Sequence, residues 1–337
     1  MAAQLKAALA GTQVPAVAAL EIVDGRIARS AVQGLRRSDA TEPVRSEDPW
    51  LIGSNAKPMT AALLARLVDQ GRLAWDTPLA EQLPELKAQM HPAYREITLS
   101  QMLSHRAGLP ENVSDMAFFN RFYTDPRPLP EQRLAYVAQA LTEAPVHPPG
   151  STFSYSNTGY ILAAVLAERR EGLPFEALFR RELAEPLGLR ALGYGPPPAG
   201  APQGHSAGHT VRKAEDSNPL MFVPAGNLHL SLDDWAAFCL DQLAGARGQG
   251  RLLSADSYRR MQSEGAAGTL GWGWRASLAG RSGPVLMHAG SDGNWYALVA
   301  LFPRSGRGAL AVVNAGPDMG GDQVAQAALT LLLPPKE

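Results

Sequence analysis

The chain has one cysteine in 337 residues, Cys239, which excludes an intrachain disulfide. It sits in the apolar-striped segment DDWAAFCLDQL, where a small buried hydrophobe on a helix is expected rather than a catalytic thiol. Lysine is also scarce: Lys6, Lys57, Lys87, Lys213 and Lys336 complete the set. Neither sign of charge dominates, with Lys+Arg 31 against Asp+Glu 32. A net charge of −1 offers no basic field for nucleic acid or an anionic membrane. No apolar run approaches the ~20 residues that a membrane-spanning helix needs. The N-terminal MAAQLKAALAGTQVP is broken by Lys, Gly, Gln and Pro, so no signal peptide is expected. As it stands the sequence reads as cytoplasmic, or as periplasmic if a leader has been removed.

What is present is a globular composition, 45% hydrophobic and 19% charged. Residues 2–10 read as a short helix. PAVAALEIVDGRIARSAVQG reads as two strands joined at Asp24-Gly25, a strong hairpin signal. Ser54 to about Gly71 is helical, with Met59, Leu63, Leu64 and Leu67 on one face. Helices and loops then alternate to about residue 200, clearest in LSQMLSH, PEQRLAYVAQALTEA, TGYILAAVLAERR and FEALFRRELA. The stretch 195–210 has the longest loop-like composition. DDWAAFCLDQLAG is another helix. LGWGWRASLAG, PVLMHAG, NWYALVALFP and GALAVVNAG are strand-like, and QVAQAALTLLL closes as a helix. Strands at both ends with helices between are not a βαβ alternation. The expected fold is α+β, with an antiparallel sheet built from both chain ends, flanked by helices and carrying an inserted helical lobe. The expected division is 1–71 with 211–337 as the sheet lobe and 72–210 as the helical lobe, with the active site between them.

G-H-S-A-G at 204–208 matches the nucleophile-elbow pattern of α/β-hydrolases. An elbow serine needs a buried strand before it and a helix after it. GPPPAGAPQ and HTVRKAEDSNP supply neither, because Pro cannot donate to a sheet ladder. Ser206 is therefore expected in a loop that matches by chance.

Three other short patterns carry chemistry. S-N-A-K at 54–57 places a hydroxyl and an amine three residues apart, on one face of a helix. Serine becomes a nucleophile only when a base removes its proton, and a desolvated lysine is such a base. At a helix start, free amides favour developing negative charge at Ser54. Pro58 is tolerable only if the helix has barely begun. Y-S-N at 155–157 falls in a polar loop before a helix. The Tyr155 phenol can move a proton if cations lower its pKa, and Asn157 can donate and accept. Their bland alternatives are a half-buried anchor and a helix N-cap. H-A-G at 288–290 lies at a strand end, and Gly290 permits close backbone approach to a ligand.

Together, and in this order, the three patterns resemble the serine β-lactamase and penicillin-binding-protein superfamily, nearest its class C β-lactamase-like branch. LSQMLSHRAGLP, FRRELAEPLGL and PAGNLHLSLDDW are similar to segments of that family. The resemblance runs from about residue 14 to the C-terminus. It implies a β-lactamase/transpeptidase-like fold and an acyl-enzyme hydrolase with neither metal nor cofactor. By motif match, Ser54 attacks the substrate carbonyl, and Lys57 and Tyr155 share the proton work, with Tyr155 protonating the leaving group. Asn157 would hold the substrate amide. His288 and Gly290 would line the binding edge, and the amides of Ser54 and Ser291 would form the oxyanion hole. Which of Lys57 and Tyr155 is the acylation base stays open.

The substrates implied are small esters, amides, D-amino-acid peptides or β-lactams. A lysine usually fills the third motif in true class C enzymes. His288 departs from that pattern and favours esters or neutral amides, since imidazole is mostly neutral near pH 7. Any gain in β-lactam turnover is then expected below about pH 6, where His288 takes up its proton. His105 is expected to be structural. Trp272, Trp274 and Trp295 are expected either at the acyl pocket or in the core. The alternatives are a true class C-type β-lactamase, a D,D-carboxypeptidase, an elbow esterase using Ser206, and a non-catalytic penicillin-binding-like module.

Overall fold

AVAALEIV contains one charged residue, and its strand is buried along nearly its whole length, as a central strand covered on both faces must be. The computed structural model describes residues 1–211, 216–263 and 269–336. Its main sheet has six strands: β1 (Ala16–Val23), β2 (Arg26–Gly34), β3 (Gly273–Leu278), β4 (Arg281–Ser291), β5 (Tyr296–Phe302) and β6 (Arg307–Val313). Asp24 and Gly25 both take positive φ, 52° and 71°, as a tight hairpin turn with right-handed strand twist demands. The strand order is β2-β1-β6-β5-β4-β3, antiparallel throughout. Val17 pairs with Val313, so the two chain ends meet in mid-sheet, as the alternation of strand-like runs predicts.

Side chains alternate across β1. Val17 and Ala19 face a core closed by α1 (Ala2–Leu9) and, near the C-terminus, the helix Gly321–Thr330. Ala18, Leu20 and Ile22 face the larger core, which runs through α2 (Ala56–Asp69) to α3 (Leu129–Ala140) and α4 (Asn157–Glu171). One apolar cluster thus joins the sheet to the helical segment. Sequence periodicity gave α2 a single apolar face. In the structure nearly the whole helix from Ala56 to Leu67 is buried, because α2 stands between the sheet and the other helices.

Three features depart from the sequence reading. The expected loop 195–210 contains a small hairpin, His205–Ser206 against His209–Thr210, turning at Ala207 (φ 50°) and Gly208 (φ 77°). A second, three-stranded sheet of two- and three-residue pieces joins Trp50–Leu51, Leu228–Leu230 and Gly193–Tyr194. Such pieces are too short to show a period. Ala255–Gln262 is a helix with a Ser254 cap that the apolar pattern does not reveal. Lys213 lies outside the described residues. Among the described residues no helix is long and apolar enough to cross a membrane.

Candidate active site

The site begins where the chain leaves Trp50–Leu51 and turns into α2. A single 3₁₀ turn, Gly53–Asn55, precedes the helix, so Pro58 stands in the first α-helical turn, where its missing N–H is not needed. The objection that Pro58 raises to a helical Ser54–Lys57 pair is met in this way. Asn55 pins the turn to β5 by donating to Ala297 O at 3.1 Å. Gly53 has φ 53°, and a Cβ there would stand 2.4 Å from Ser291 N. A Cβ at Gly290 would stand 2.7 Å from Ser54 N. Only glycine permits this backbone approach, which brings the amides of Ser54 and Ser291 close together. That proximity is a precondition for the oxyanion role the resemblance implies.

Two side chains converge on Ser54 Oγ. Lys57 Nζ lies 3.0 Å away, and Tyr155 OH donates to Oγ at 2.8 Å. Lys57 is fully buried, and Nζ also contacts Asn157 Oδ1 at 2.7 Å and Ala225 O at 2.6 Å. None of these three partners is an anion. Burial therefore pushes the Lys57 pKa well below the ordinary lysine value, against a weaker upward pull from the Glu111 charge. A neutral amine has two hydrogens and one lone pair. Asn157 Oδ1 and Ala225 O can only accept, so each takes an N–H of this amine, and a deprotonated Lys57 would have its lone pair free to face Ser54. The buried Arg133 makes the contrast. It is held between Glu168 (2.6 Å) and Glu176 (3.0 Å), and its pKa is raised.

Tyr155 departs from expectation. Burial pushes its phenol up to about 12, and the bond to Ser54 only partly offsets this. No cation offsets this. A phenol so raised keeps its proton near neutral pH. Asn157 is not the helix cap: Ser156 caps α4, its Oγ accepting from Gly159 N at 3.0 Å. The Asn157 amide bridges two side chains and keeps one N–H uncommitted among the described residues. Its oxygen takes Lys57 and its nitrogen donates to Asn112 Oδ1 at 3.1 Å. It holds the lysine in place.

A cavity of about 480 Å³ opens beside Ser54's partners, lined among others by Tyr155, Phe153, Trp272, Trp274, Arg275 and His288. Two of the three tryptophans are therefore at the pocket. Trp295 is buried in the core, edge-on to Trp50 at 6.1 Å. His288 is half-buried, with Nδ1 2.7 Å from Ala289 O. Desolvation, then the nearby Lys57, lowers its pKa to about 4. It stays neutral far below the pH 6 expected from sequence. Arg275 is the residue that sequence reasoning missed. It is exposed on β3, beside β4, and makes no ion pair with a described residue. Asn112 and the Ala225 carbonyl were missed as well, since each reaches the site only through the fold.

Ser206 is elsewhere. Its Oγ donates to Asp318 Oδ2 at 3.0 Å, and Ala207 N donates to the same oxygen at 2.6 Å. The adjacent His205 is buried with both ring nitrogens engaged, Nδ1 with Asn314 O at 2.7 Å and Nε2 accepting from Ser38 N at 3.0 Å. Among the described residues the Ser206 hydroxyl makes no hydrogen bond to a lysine or histidine; its partner is the Asp318 carboxylate.

Comparison with known proteins gives the family of the chain. The chain is 27% identical over 322 residues to the D-alanyl-D-alanine-carboxypeptidase/endopeptidase AmpH of Escherichia coli K12, covering 89% of this chain and 79% of AmpH. It is 31% identical over 175 residues to the esterase EstB of Burkholderia gladioli, covering 50% of this chain and 44% of EstB. A D-stereospecific amidohydrolase from Streptomyces sp. superimposes with a TM-score of 0.76 at 24% identity, over 98% of each chain, which shows the fold. The Beta-lactamase family model matches residues 1–333, and the chain therefore belongs to the Beta-lactamase family of serine hydrolases.

Proposed function

We propose that this hydrolase cleaves an ester or amide through an acyl-enzyme on Ser54, with Lys57 as the acylation base and Tyr155 as the proton donor to the leaving group. The observation that carries the reading is Ser54 Oγ held 3.0 Å from a buried amine without an anionic partner and 2.8 Å from a protonated phenol. Lys57 takes the hydroxyl proton as the Oγ–carbon bond forms. The amides of Ser54 and Ser291 receive the oxyanion. As the intermediate collapses, the Tyr155 proton goes to the leaving group, and the proton on Lys57 replaces it. Water then attacks the ester, and the same groups act in reverse. Asn157, with Asn112 behind it, positions the lysine.

Phe153, Trp272, Trp274 and Met287 line the cavity and suit an apolar acyl group. His288 supplies no charge at neutral pH. Short-chain aryl esters are accordingly expected to have a higher kcat/KM than a cephalosporin. The test is kcat/KM for a p-nitrophenyl ester and a chromogenic cephalosporin on one preparation at neutral pH. A cephalosporin value equal to or above the ester value rejects the preference. Labelling with a serine-reactive phosphonate, followed by peptide mapping, must find the adduct on Ser54. Arg275 favours a second reading, a D-amino-acid peptide with a free carboxylate, because among the described residues it is the one side chain in the cavity lining that carries a fixed positive charge.

A further inference from the structure

His105 adopts φ 58°, a left-handed conformation that few residues other than glycine occupy and that marks a backbone held by its surroundings. What holds it is the loop that carries Tyr155. His105 O accepts from Ser154 N at 2.8 Å, and its Nδ1 accepts from Ser156 N at 3.0 Å. The imidazole ring stacks on the Tyr155 ring, with centroids 4.6 Å apart and planes 27° apart. Phe153 and Tyr160 close on it at 5.3 and 5.2 Å. One residue thus grips the main chain on both sides of Tyr155 and the face of its ring. An Nδ1 that accepts carries no proton, so the neutral ring has its hydrogen on Nε2. Burial and the nearby Lys57 and His288 keep the ring neutral, which preserves that acceptor.

We propose that His105 is a positioning residue for Tyr155, fixing the phenol against Ser54 through the Nδ1 acceptor and the ring stack. This rests on the acyl-enzyme reading of Ser54. Tyr155 stands on a loop, and loops carry reacting groups well only when something rigid restrains them. A displacement of about 1 Å costs on the order of 10²-fold in rate.

The test compares His105→Asn with His105→Gly, each alone and in a Tyr155→Phe background, using p-nitrophenyl acetate turnover and thermal melting. Asn and Gly both tolerate positive φ, so neither adds backbone strain. Asn keeps a side-chain acceptor near the Nδ1 position, and Gly keeps neither acceptor nor ring. His105→Asn should stay within about threefold of wild-type kcat, while His105→Gly should lose roughly 30- to 100-fold in kcat with little change in KM. In the Tyr155→Phe background His105→Gly should cost less than about twofold, since the group it positions is gone. His105→Ala replaces the Gly variant if that does not fold. The proposal is overturned if the loss persists in full in the Tyr155→Phe background. It is equally overturned if Asn and Gly are alike at similar melting temperatures. Ser54→Ala separates the two levels. If it retains turnover, the acyl-enzyme reading fails and this proposal with it. If it is dead and the His105 pattern is absent, only the positioning role falls.

Discussion

Ser54 and Ser206 each sit in a pattern that sequence associates with an activated serine, yet their hydroxyls meet different neighbours. The Ser206 hydroxyl donates to a carboxylate, Asp318, that accepts its hydrogen bond without being a strong enough base to remove the proton. The Ser54 hydroxyl faces a buried amine whose other partners are an amide oxygen and a carbonyl. The difference is the nature and burial of the neighbour, not the serine. An amine deprived of water and of an anion gives up its proton, and what remains is a base. Arg133 teaches the same lesson by opposition. Two glutamates keep it charged, and it does structural duty.

Replacing the two serines breaks the comparison most directly. Ser54→Ala should lower turnover of an activated ester by roughly 10³-fold or more, and Ser206→Ala should leave it unchanged. Equal losses in both would put the chemistry at the hairpin. The next effect is on the Ser54 side. Lys57→Ala and Tyr155→Phe should each cost roughly 10²-fold or more, and the double variant little beyond the worse single. If the two losses multiply in folded variants, the groups act independently.

The Arg275 charge sharpens the substrate side. Arg275→Gln should weaken kcat/KM about ten- to a hundredfold for a peptide ending in a free carboxylate, because a charged hydrogen bond contributes roughly 1.5–3 kcal/mol. A neutral aryl ester should change by less than about twofold. Losses of equal size for both substrates would mean that Arg275 does not read a carboxylate.

The pH profile tests which group is the base. Lys57 must be neutral to act, and its pKa is lowered, so kcat/KM should rise with pH along one limb that lies well below the ordinary lysine value of about 10.4. Tyr155, pushed up to about 12, should add no descending limb through about pH 10. Tyr155→Phe should lower the plateau and leave the limb where it is. A limb that vanishes with Tyr155 instead of Lys57 would reverse the assignment. The smallest effect expected is on stability. Ser206→Ala removes one exposed bond, and its melting temperature should fall by no more than about 2–4 °C.

Much of the fold was legible because its signals are local. Asp24-Gly25 declares a hairpin from two residues, and the long strands and helices show their runs and faces within a dozen residues. The hairpin at Ser206 and the two-residue strands were not legible, since they exist only by pairing with distant chain. In the site, Ser54, Lys57, Tyr155, Asn157, His288 and Gly290 could be named from three short patterns. Their settings could not. That Asn157 bridges Lys57 and Asn112 could not be read from Y-S-N. Trp295 could stand at the pocket or in the core, and its contact with Trp50 decided for the core. Arg275 had no signal at all, because its place at the cavity depends on β3 pairing with β4.

The sequence by itself determined which reactive groups exist and the local geometry of each. It set a hydroxyl and an amine one helical turn apart, a phenol before a helix start, and glycines at 53 and 290 where any side chain would clash. Only the tertiary structure decided the charge each group carries. A pKa depends on how much water and which charges surround a group, and here those surroundings come from β4, α2, α4 and the carbonyl of Ala225 together. The lowered lysine pKa, the protonated tyrosine and the uncharged His288 are properties of that assembly. Residues far apart along the chain exclude the solvent that would otherwise return each group to its ordinary state.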